Sequence, residues 1–309
     1  MNPTAPAPTT VGFLGLGAMG LPMAANLAKA GFDVLAWNRG RPALDAAVAA
    51  GCRAAGRPAE VAAHARTVLT MLPDLPQVRE VLEGPDGLLA DTAGVLDTLV
   101  VMGTVSPVAV RALAEELRPR GITVVDAPVS GGVTGARNAA LSIMAGGTED
   151  AVARVRPCLT VMGSTVRRMG DTGAGSLAKA CNQLVVAGTL VALAEAVLLG
   201  ERGGLVPAEL LEVLAGGLAA SEVLTQKHHH LADSDFTPSG PARYLLKDLG
   251  FVLESAADTD ITLPLSATVA GLYAAVDTHG LGDLDNSVVL RLLREGAPSR
   301  APHHTTTKD

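Results

Sequence analysis

Apolar and polar positions follow two different rhythms along this chain. From Val11 to about Gly170, short continuous apolar runs predict strands over Val11–Leu16, Phe32–Trp37, Thr67–Leu72, Leu99–Met102 and Ile122–Asp126. Runs of this kind suit strands buried on both faces. Stretches with helical spacing lie between them, around Pro22–Ala30, Pro42–Ala50, Leu75–Leu82 and Pro107–Leu117. Two further strands, Leu141–Ala145 and Val166–Met169, flank a predicted helix over Glu149–Leu159. Such alternation implies a mostly parallel sheet with helices on both faces.

After Gly173 the strand signal stops. Residues 174–202 read as one long apolar helix, followed by helical periods over Pro207–Leu214, Ser221–Ala232, Pro241–Asp258, Pro264–Thr278 and Asn286–Arg294. Pro207, Pro241 and Pro264 suit first-turn positions. The expected organisation is an α/β domain over 11–170, an all-helical domain over 171–296, and flexible tails at 1–10 and 297–309. The long helix is apolar all round, which predicts burial on several sides. Lys179, Asn182, Gln183 and Glu195 interrupt it, so an interior helix is a better reading than a membrane span.

Composition narrows the function classes. With 48% hydrophobic and 18% charged residues the chain is globular. A net charge of −7 without a basic block argues against nucleic-acid and membrane partners. Aromatics at 2% leave no stacking platform for single strands, so Ala, Val and Leu must fill the core. Cys52, Cys158 and Cys181 lie far apart with no C-x-x-C, which points to a reducing cytoplasm and to no metal site. The first ten residues lack the basic and apolar regions of a signal peptide. His228, His229 and His230 are adjacent and cannot converge on one metal; a mostly solvated helix face is expected there.

The sharpest motif is Gly15-Leu16-Gly17-Ala18-Met19-Gly20, placed after a strand and before a helix. Gly15 permits the turn, Gly17 lets a pyrophosphate approach the backbone, and Gly20 lets the helix pack closely. The helix start offers N–H groups and a positive dipole end to phosphates. A glycine-rich turn with no ligand is the bland alternative. At the end of the second strand, where an acidic residue would hold ribose hydroxyls, the chain reads Trp37-Asn38-Arg39. No carboxylate is available and Arg39 can pair with a 2′-phosphate, which predicts NADP(H) in preference to NAD(H). Leu72, Pro73 and Thr104 follow later strands, where ligands of open α/β sheets bind; ordinary helix capping competes as a role for Thr104.

Ser130-Gly131-Gly132, after another strand, can present successive N–H groups to a carboxylate. Lys179 and Asn182 are three apart on the apolar helix and share a face. A lysine there needs a partner or a task; proton transfer is one, and a snorkelling side chain is the alternative. Asn182 can orient a substrate oxygen. Lys247 on a later helix can reach a cofactor or substrate, or pair on the surface with Asp248 or Glu254.

Taken together, VGFLGLGAMGLPMAANLAKAG, MLPD, GTVSP, DAPVSGG and the G-x-G-x-x-x-K-x-x-N of Gly173–Asn182 resemble the β-hydroxyacid dehydrogenases, the family of 3-hydroxyisobutyrate dehydrogenase and tartronate semialdehyde reductase. GGLAAS and LLKDL look most like the tartronate semialdehyde reductase branch. The resemblance implies a Rossmann domain followed by an all-α domain like that of 6-phosphogluconate dehydrogenase, and homodimers or homotetramers joined through the long helices. It implies that Lys179 is the proton donor, that Ser130, Gly131 and Gly132 hold a small carboxylate substrate, and that Asn182 and Gln183 bind substrate. It also implies that residues 12–23, with Leu16, Ala18 and Met19 among them, hold the dinucleotide with Leu72, Pro73 and Thr104, and that Lys247 lies at the cofactor–substrate boundary. The Lys-x-x-His-Asn pattern of 6-phosphogluconate dehydrogenase is absent, since Asn182 stands at the His position. An imine or other carbonyl reductase on this fold, and a non-catalytic dinucleotide-binding protein, are the rival expectations; the Ser130-Gly131-Gly132 cradle weighs against the first, and Lys179 against an imine reductase and against the second.

Overall fold

The computed structural model describes residues 9–90 and 94–296. Nine strands form one sheet: β1 (Thr10–Leu14), β2 (Asp33–Trp37), β3 (Arg53–Ala54), β4 (Thr67–Thr70), β5 (Thr98–Val101), β6 (Thr123–Asp126), β7 (Val129–Ser130), β8 (Ser142–Gly146) and β9 (Thr165–Gly170). Their order is β3-β2-β1-β4-β5-β6-β8-β7, with β9 also paired to β8. The strands from β3 to β6 in that order are parallel, β8 runs antiparallel to β6 and β7, and β9 is parallel to β8. This is a Rossmann-like domain. The order reverses between β1 and β4, so a crevice opens at their carboxyl ends.

Helices α1 (Gly20–Lys29), α2 (Arg41–Ala49), α3 (Pro58–His64), α4 (Leu75–Glu83), α5 (Pro107–Leu117), α6 (Gly132–Arg137) and α7 (Glu149–Met162) cover the sheet. The apolar runs have a simple cause. Phe13 and Val100 join one core with Met23, Leu27 and Leu159, whereas their neighbours Leu14, Leu99 and Val101 join another with Val61, Val78 and Leu113. Successive strand residues point to opposite faces, and here both faces are dry. Side-chain caps start several helices: Asp74 accepts from the Leu75 N–H at 2.7 Å, Ser106 from Ala109 at 3.0 Å, and Thr148 from Ala151 at 3.2 Å. Each cap contributes about 1 kcal/mol.

From Ala174 onward the described residues are helical: α8 (Ala174–Arg202), α9 (Pro207–Ala215), α10 (Glu222–Asp233), α11 (Ala242–Asp258), α12 (Pro264–Thr278), a 3₁₀ turn over Asn286–Val288, and α13 (Val289–Arg294). Two compact units result. The first holds the described residues up to Cys181 with Ala257–Asp260; the second holds Asn182–Ala256 and the described residues from Ile261. The second has its own core, in which Leu190, Ala194 and Val197 of α8 pack with Leu231, Leu249, Val269 and Leu290. Tyr273 is buried there and its hydroxyl donates to the Asn286 carbonyl at 2.8 Å.

Three expectations are corrected. The long helix buries one side in this chain and leaves the other open: Val185 is 62% and Leu199 77% exposed. The histidine run is not a solvated face, because His230 is only 3% exposed. It lies beside a buried ion pair in which Lys227 Nζ donates to Asp285 at 2.8 and 2.9 Å. Asp285 also accepts from the Ser239 N–H and hydroxyl, the Gly240 N–H, and the Ser287 N–H and hydroxyl. The period 3.6 turns Lys227 and His230 inward together while His229 stays exposed. Finally, β3, β7, α3 and α6 were not expected. Of the tails, 1–8 and 297–309 lie outside the described residues, while Thr10 already opens β1 and donates from its hydroxyl to Asp33 at 2.8 Å. Among the described residues no cluster of three metal-ligating side chains occurs.

Candidate functional site

The carboxyl ends of β1, β4 and β5 meet in a row of backbone. Gly15 follows β1 with φ of +94°, and its N–H donates to the Trp37 carbonyl at 3.2 Å. A Cβ at Gly15 would stand 2.4 Å from the Met71 carbonyl oxygen and 2.8 Å from Leu72 Cδ2. A Cβ at Gly103 would stand 2.1 Å from the Leu72 carbonyl oxygen. The chain therefore brings Gly15, Leu72 and the Gly103-Thr104 turn side by side, with Pro73 exposed at the rim.

Two further glycines of the turn differ in what surrounds them. A Cβ at Gly20 would stand 1.9 Å from the Gly15 carbonyl oxygen, so α1 can begin against the turn only with glycine there. Gly17 is exposed, and a Cβ would meet nothing within 4 Å. Ala18 is exposed and Met19 half-buried beside it. At the start of α1 the Leu21 N–H donates to the Gly17 carbonyl at 3.0 Å and Pro22 carries no N–H, while the helix dipole places positive potential at that end. The open space over Gly17 at this helix start fits the pyrophosphate of a dinucleotide.

Asn38 occupies the place of a ribose-binding carboxylate and has a structural engagement of its own. Its Oδ1 accepts from the Leu16 N–H at 2.9 Å and its Nδ2 donates to the Gly40 carbonyl at 3.0 Å. The side chain thus ties the glycine turn to the end of β2. Arg39, next in the chain, is exposed.

The strand β6 organises the other half of the first unit's site. After Thr123 it carries the buried Val124 and Val125 and ends on Asp126, which is fully buried. Asp126 Oδ1 accepts from the Gly173 N–H at 2.7 Å and Oδ2 from the Ser176 N–H at 2.6 Å. Burial pushes this carboxyl above its usual range, and the two backbone donors pull against that shift. The same strand end leads through Pro128 to Ser130, which pairs with Ser142 of β8. Ser130 is half-buried; Gly131 and Gly132 follow, exposed, with φ of +126° and +61°. Those left-handed conformations suit glycine and open α6. The Asn26 side chain of α1 donates to the Ala136 carbonyl of α6 at 2.8 Å. Lys179 lies just past the first turn of α8, the helix that Asp126 holds, and is 8% exposed. Sequence reading missed Asp126 as a partner of α8; the signal was a carboxylate directly after the apolar pair Val124-Val125.

In the second unit, Asn182 and Gln183 are half-buried. Asn182 Nδ2 donates to Gln183 Oε1 at 3.4 Å, and Gln183 Nε2 donates to Asp248 Oδ2 at 2.6 Å. Lys247 Nζ stands 3.0 Å from Asp248 Oδ1 and 4.6 Å from the centre of the Phe251 ring. The expected pairing of Lys247 with Asp248 is present, yet it is largely buried rather than at the surface. Asp248 thus joins Gln183 and Lys247 into one polar group, a link that spacing along the chain did not reveal.

Comparison with known proteins covers nearly the whole chain. Residues 10–170 match the model of the NAD binding domain of 6-phosphogluconate dehydrogenase, and residues 173–293 match that described as NAD-binding of NADP-dependent 3-hydroxyisobutyrate dehydrogenase. The chain is 36% identical to 2-(hydroxymethyl)glutarate dehydrogenase of Eubacterium barkeri, over 91% of this chain and 94% of that protein. It is 35% identical to 2-hydroxy-3-oxopropionate reductase of Escherichia coli, over 92% of this chain and 96% of that protein. Among solved structures, Mycobacterium tuberculosis 3-hydroxyisobutyrate dehydrogenase with L-serine superposes with a TM-score of 0.82 at 35% identity, over 93% of this chain and 99% of that one.

Proposed function

The chain belongs to the β-hydroxyacid dehydrogenase family and is an NAD(P)-binding oxidoreductase of CH–OH groups; on that premise we propose that it interconverts a small hydroxy acid and its oxo or semialdehyde partner with NADP(H) in preference to NAD(H). The observation that carries this reading is the buried Lys179 on a helix held by the end of β6, the strand end that also leads into Ser130-Gly131-Gly132. Tartronate semialdehyde and 3-hydroxyisobutyrate are the model substrates, each a small molecule with one carboxylate.

Gly15, Leu16, Gly17, Ala18, Met19 and Gly20 would hold the pyrophosphate, with Leu72, Pro73, Thr104 and Lys247 along the rest of the cofactor. Arg39 would take the 2′-phosphate, while Asn38 keeps the turn in place. When bound, the nicotinamide supplies a hydride in reduction and accepts one in oxidation. Ser130, Gly131 and Gly132 bind the substrate carboxylate through hydroxyl and N–H donors, and Asn182 and Gln183 orient its remaining oxygens. That anchoring fixes the reacting carbon and removes a rotational search from the barrier. Lys179 as an ammonium donates to the carbonyl oxygen as charge develops there and then gives up its proton; in oxidation the neutral amine takes the alcohol proton. The open stripe of α8, which carries Val185 and Leu199, supports a homodimer or homotetramer.

The test is a kinetic one. Lys179→Ala should lower turnover roughly 10²–10⁴-fold and leave cofactor affinity nearly unchanged. Wild-type turnover in that variant refutes the assignment. Assays on 2-hydroxy-3-oxopropionate, 3-hydroxyisobutyrate and L-serine with each cofactor should give the higher kcat/KM with the phosphorylated one; a clear preference for NADH removes the role given to Arg39.

A further inference from the structure

The reaction just described leaves the buried carboxylate of Asp126 without a task. Asp126 is enclosed at the end of β6, and both of its oxygens are spent on the start of α8, Oδ1 on Gly173 N–H at 2.7 Å and Oδ2 on Ser176 N–H at 2.6 Å. We propose that Asp126 is a positioning residue for the reaction: by gripping the first turn of α8 it sets where the Lys179 amine stands. The inference rests on the reading of Lys179 as the proton donor.

The surroundings leave the carboxylate and the helix start no other place. A Cβ at Gly146 would come within 2.3 Å of Asp126 Oδ1 and 2.7 Å of the Gly175 nitrogen. A Cβ at Gly175 would come within 2.2 Å of the Met144 carbonyl oxygen and 2.7 Å of the Asp126 carbonyl oxygen. The Thr172 hydroxyl donates to the Val124 carbonyl of the same strand at 3.0 Å. The start of α8 is thus laid backbone to backbone on β6 and β8, and the carboxylate fastens it from within.

Helix geometry turns that grip into leverage. Backbone atoms lie about 2.3 Å from the axis, and side-chain ends about 5–6 Å from it. If one of the two bonds is lost and the first turn slips about 0.5 Å around the axis, the helix rotates by roughly 12°. A side-chain end on that helix then moves by about 1 Å. Displacement on that scale is enough to cost a reaction about 10²-fold.

Asp126→Asn is the informative substitution. It keeps the shape, but only one of its two terminal atoms accepts; the amide NH₂ faces a backbone N–H and that grip is lost. The enzyme with its bound cofactor should show kcat lowered at least tenfold, cofactor Kd within twofold of wild type, and a larger primary isotope effect with deuterated reduced cofactor. In a Lys179→Ala background, read at high enzyme concentration, the same substitution should change the residual rate less than twofold, because Asp126 acts through the amine. A merely structural role would lower the active fraction without moving the isotope effect, and would lower the residual rate of Lys179→Ala by the same factor; either result overturns the inference. So does an Asp126→Asn enzyme within twofold of wild-type kcat when Lys179→Ala is inactive. Wild-type turnover by Lys179→Ala instead overturns the underlying reading, and this inference with it. Should Asp126→Asn fail to fold, Thr172→Val loosens the same junction more gently and should lower kcat about two- to fivefold with the same signature; wild-type values in every readout overturn the proposal.

Discussion

Gly17 and Gly20 lie in one turn, and alanine should fail at each for opposite reasons. At Gly20 the new methyl would stand 1.9 Å from the Gly15 carbonyl oxygen. An ordinary contact needs well over an ångström more, so the start of α1 must part from the turn. Overpacking of this kind costs about 1–3 kcal/mol, and the gain from replacing a helical glycine, about 1 kcal/mol, offsets only part. A net loss of up to about 2 kcal/mol should lower the Tm of the unliganded protein by up to several degrees. At Gly17 the methyl meets nothing within 4 Å, and the residue has no left-handed φ. Stability should therefore hold, or rise by up to about 1 kcal/mol through the stiffer unfolded chain. The methyl instead fills the space through which phosphate oxygens would reach the helix N–H groups. Losing one such charge-assisted bond costs about 1.5–3 kcal/mol, which is roughly ten- to a hundredfold in Kd. The assay is built into the chain: its one tryptophan is Trp37, whose carbonyl accepts from the Gly15 N–H. Titrating NADPH against Trp37 fluorescence gives Kd, and melts followed by circular dichroism without cofactor give stability. A Gly17→Ala protein that binds the reduced cofactor within about threefold of wild type would refute the placement of the pyrophosphate.

Two further outcomes follow from the second unit. Burial alone would raise the Asp285 carboxyl, but the Lys227 ammonium and the donors of Ser287 and Ser239 outweigh it and hold the group well below the usual carboxylate range. Its folded pKa is thus lower than its unfolded one, so the stabilisation is complete above the unfolded value, about 4, and fades as pH falls below it. Asp285→Asn or Lys227→Met should destabilise by about 3–5 kcal/mol at neutral pH, and guanidinium unfolding between pH 3 and 7 should show a shallower acid decline in Asp285→Asn; an unchanged decline would show that other groups carry it. Val185→Glu with Leu199→Glu places charge on the open stripe of α8 and should turn an oligomer into a monomer by sedimentation velocity, whereas a monomeric wild type would remove the oligomer altogether.

Much of this architecture is legible in the residue order because its strands are dry on both faces. Continuous apolar runs such as Val11–Leu14 and Thr98–Val101 have no polar alternation to confuse them with surface strands. Prolines at the starts of α9 and α12 mark helix entries in the same direct way. What escaped notice was short, exposed or assembled from distant parts. The two residues of β3 are both exposed, so they carry no apolar signal. The pairing of β7 with β8 depends on a turn through two left-handed glycines. Within the candidate site, the glycine turn and the lysine announce themselves by motif, but Asp126 meets its partners 47 and 50 positions later, and Gln183 meets Asp248 after 65. No local period encodes such meetings; they arise only when the sheet is formed.

Where α8 leaves the sheet, the contact between Gly175 and Gly146 is made by main chain with hardly any side chain in between. A joint of this sort has little to gain from variation and almost nothing to vary. Further along the helix, Val185 and Leu199 are exposed and lie well away from that joint. On the reading proposed above, changes confined to that outer surface would leave the amine of Lys179 where the main-chain joint sets it.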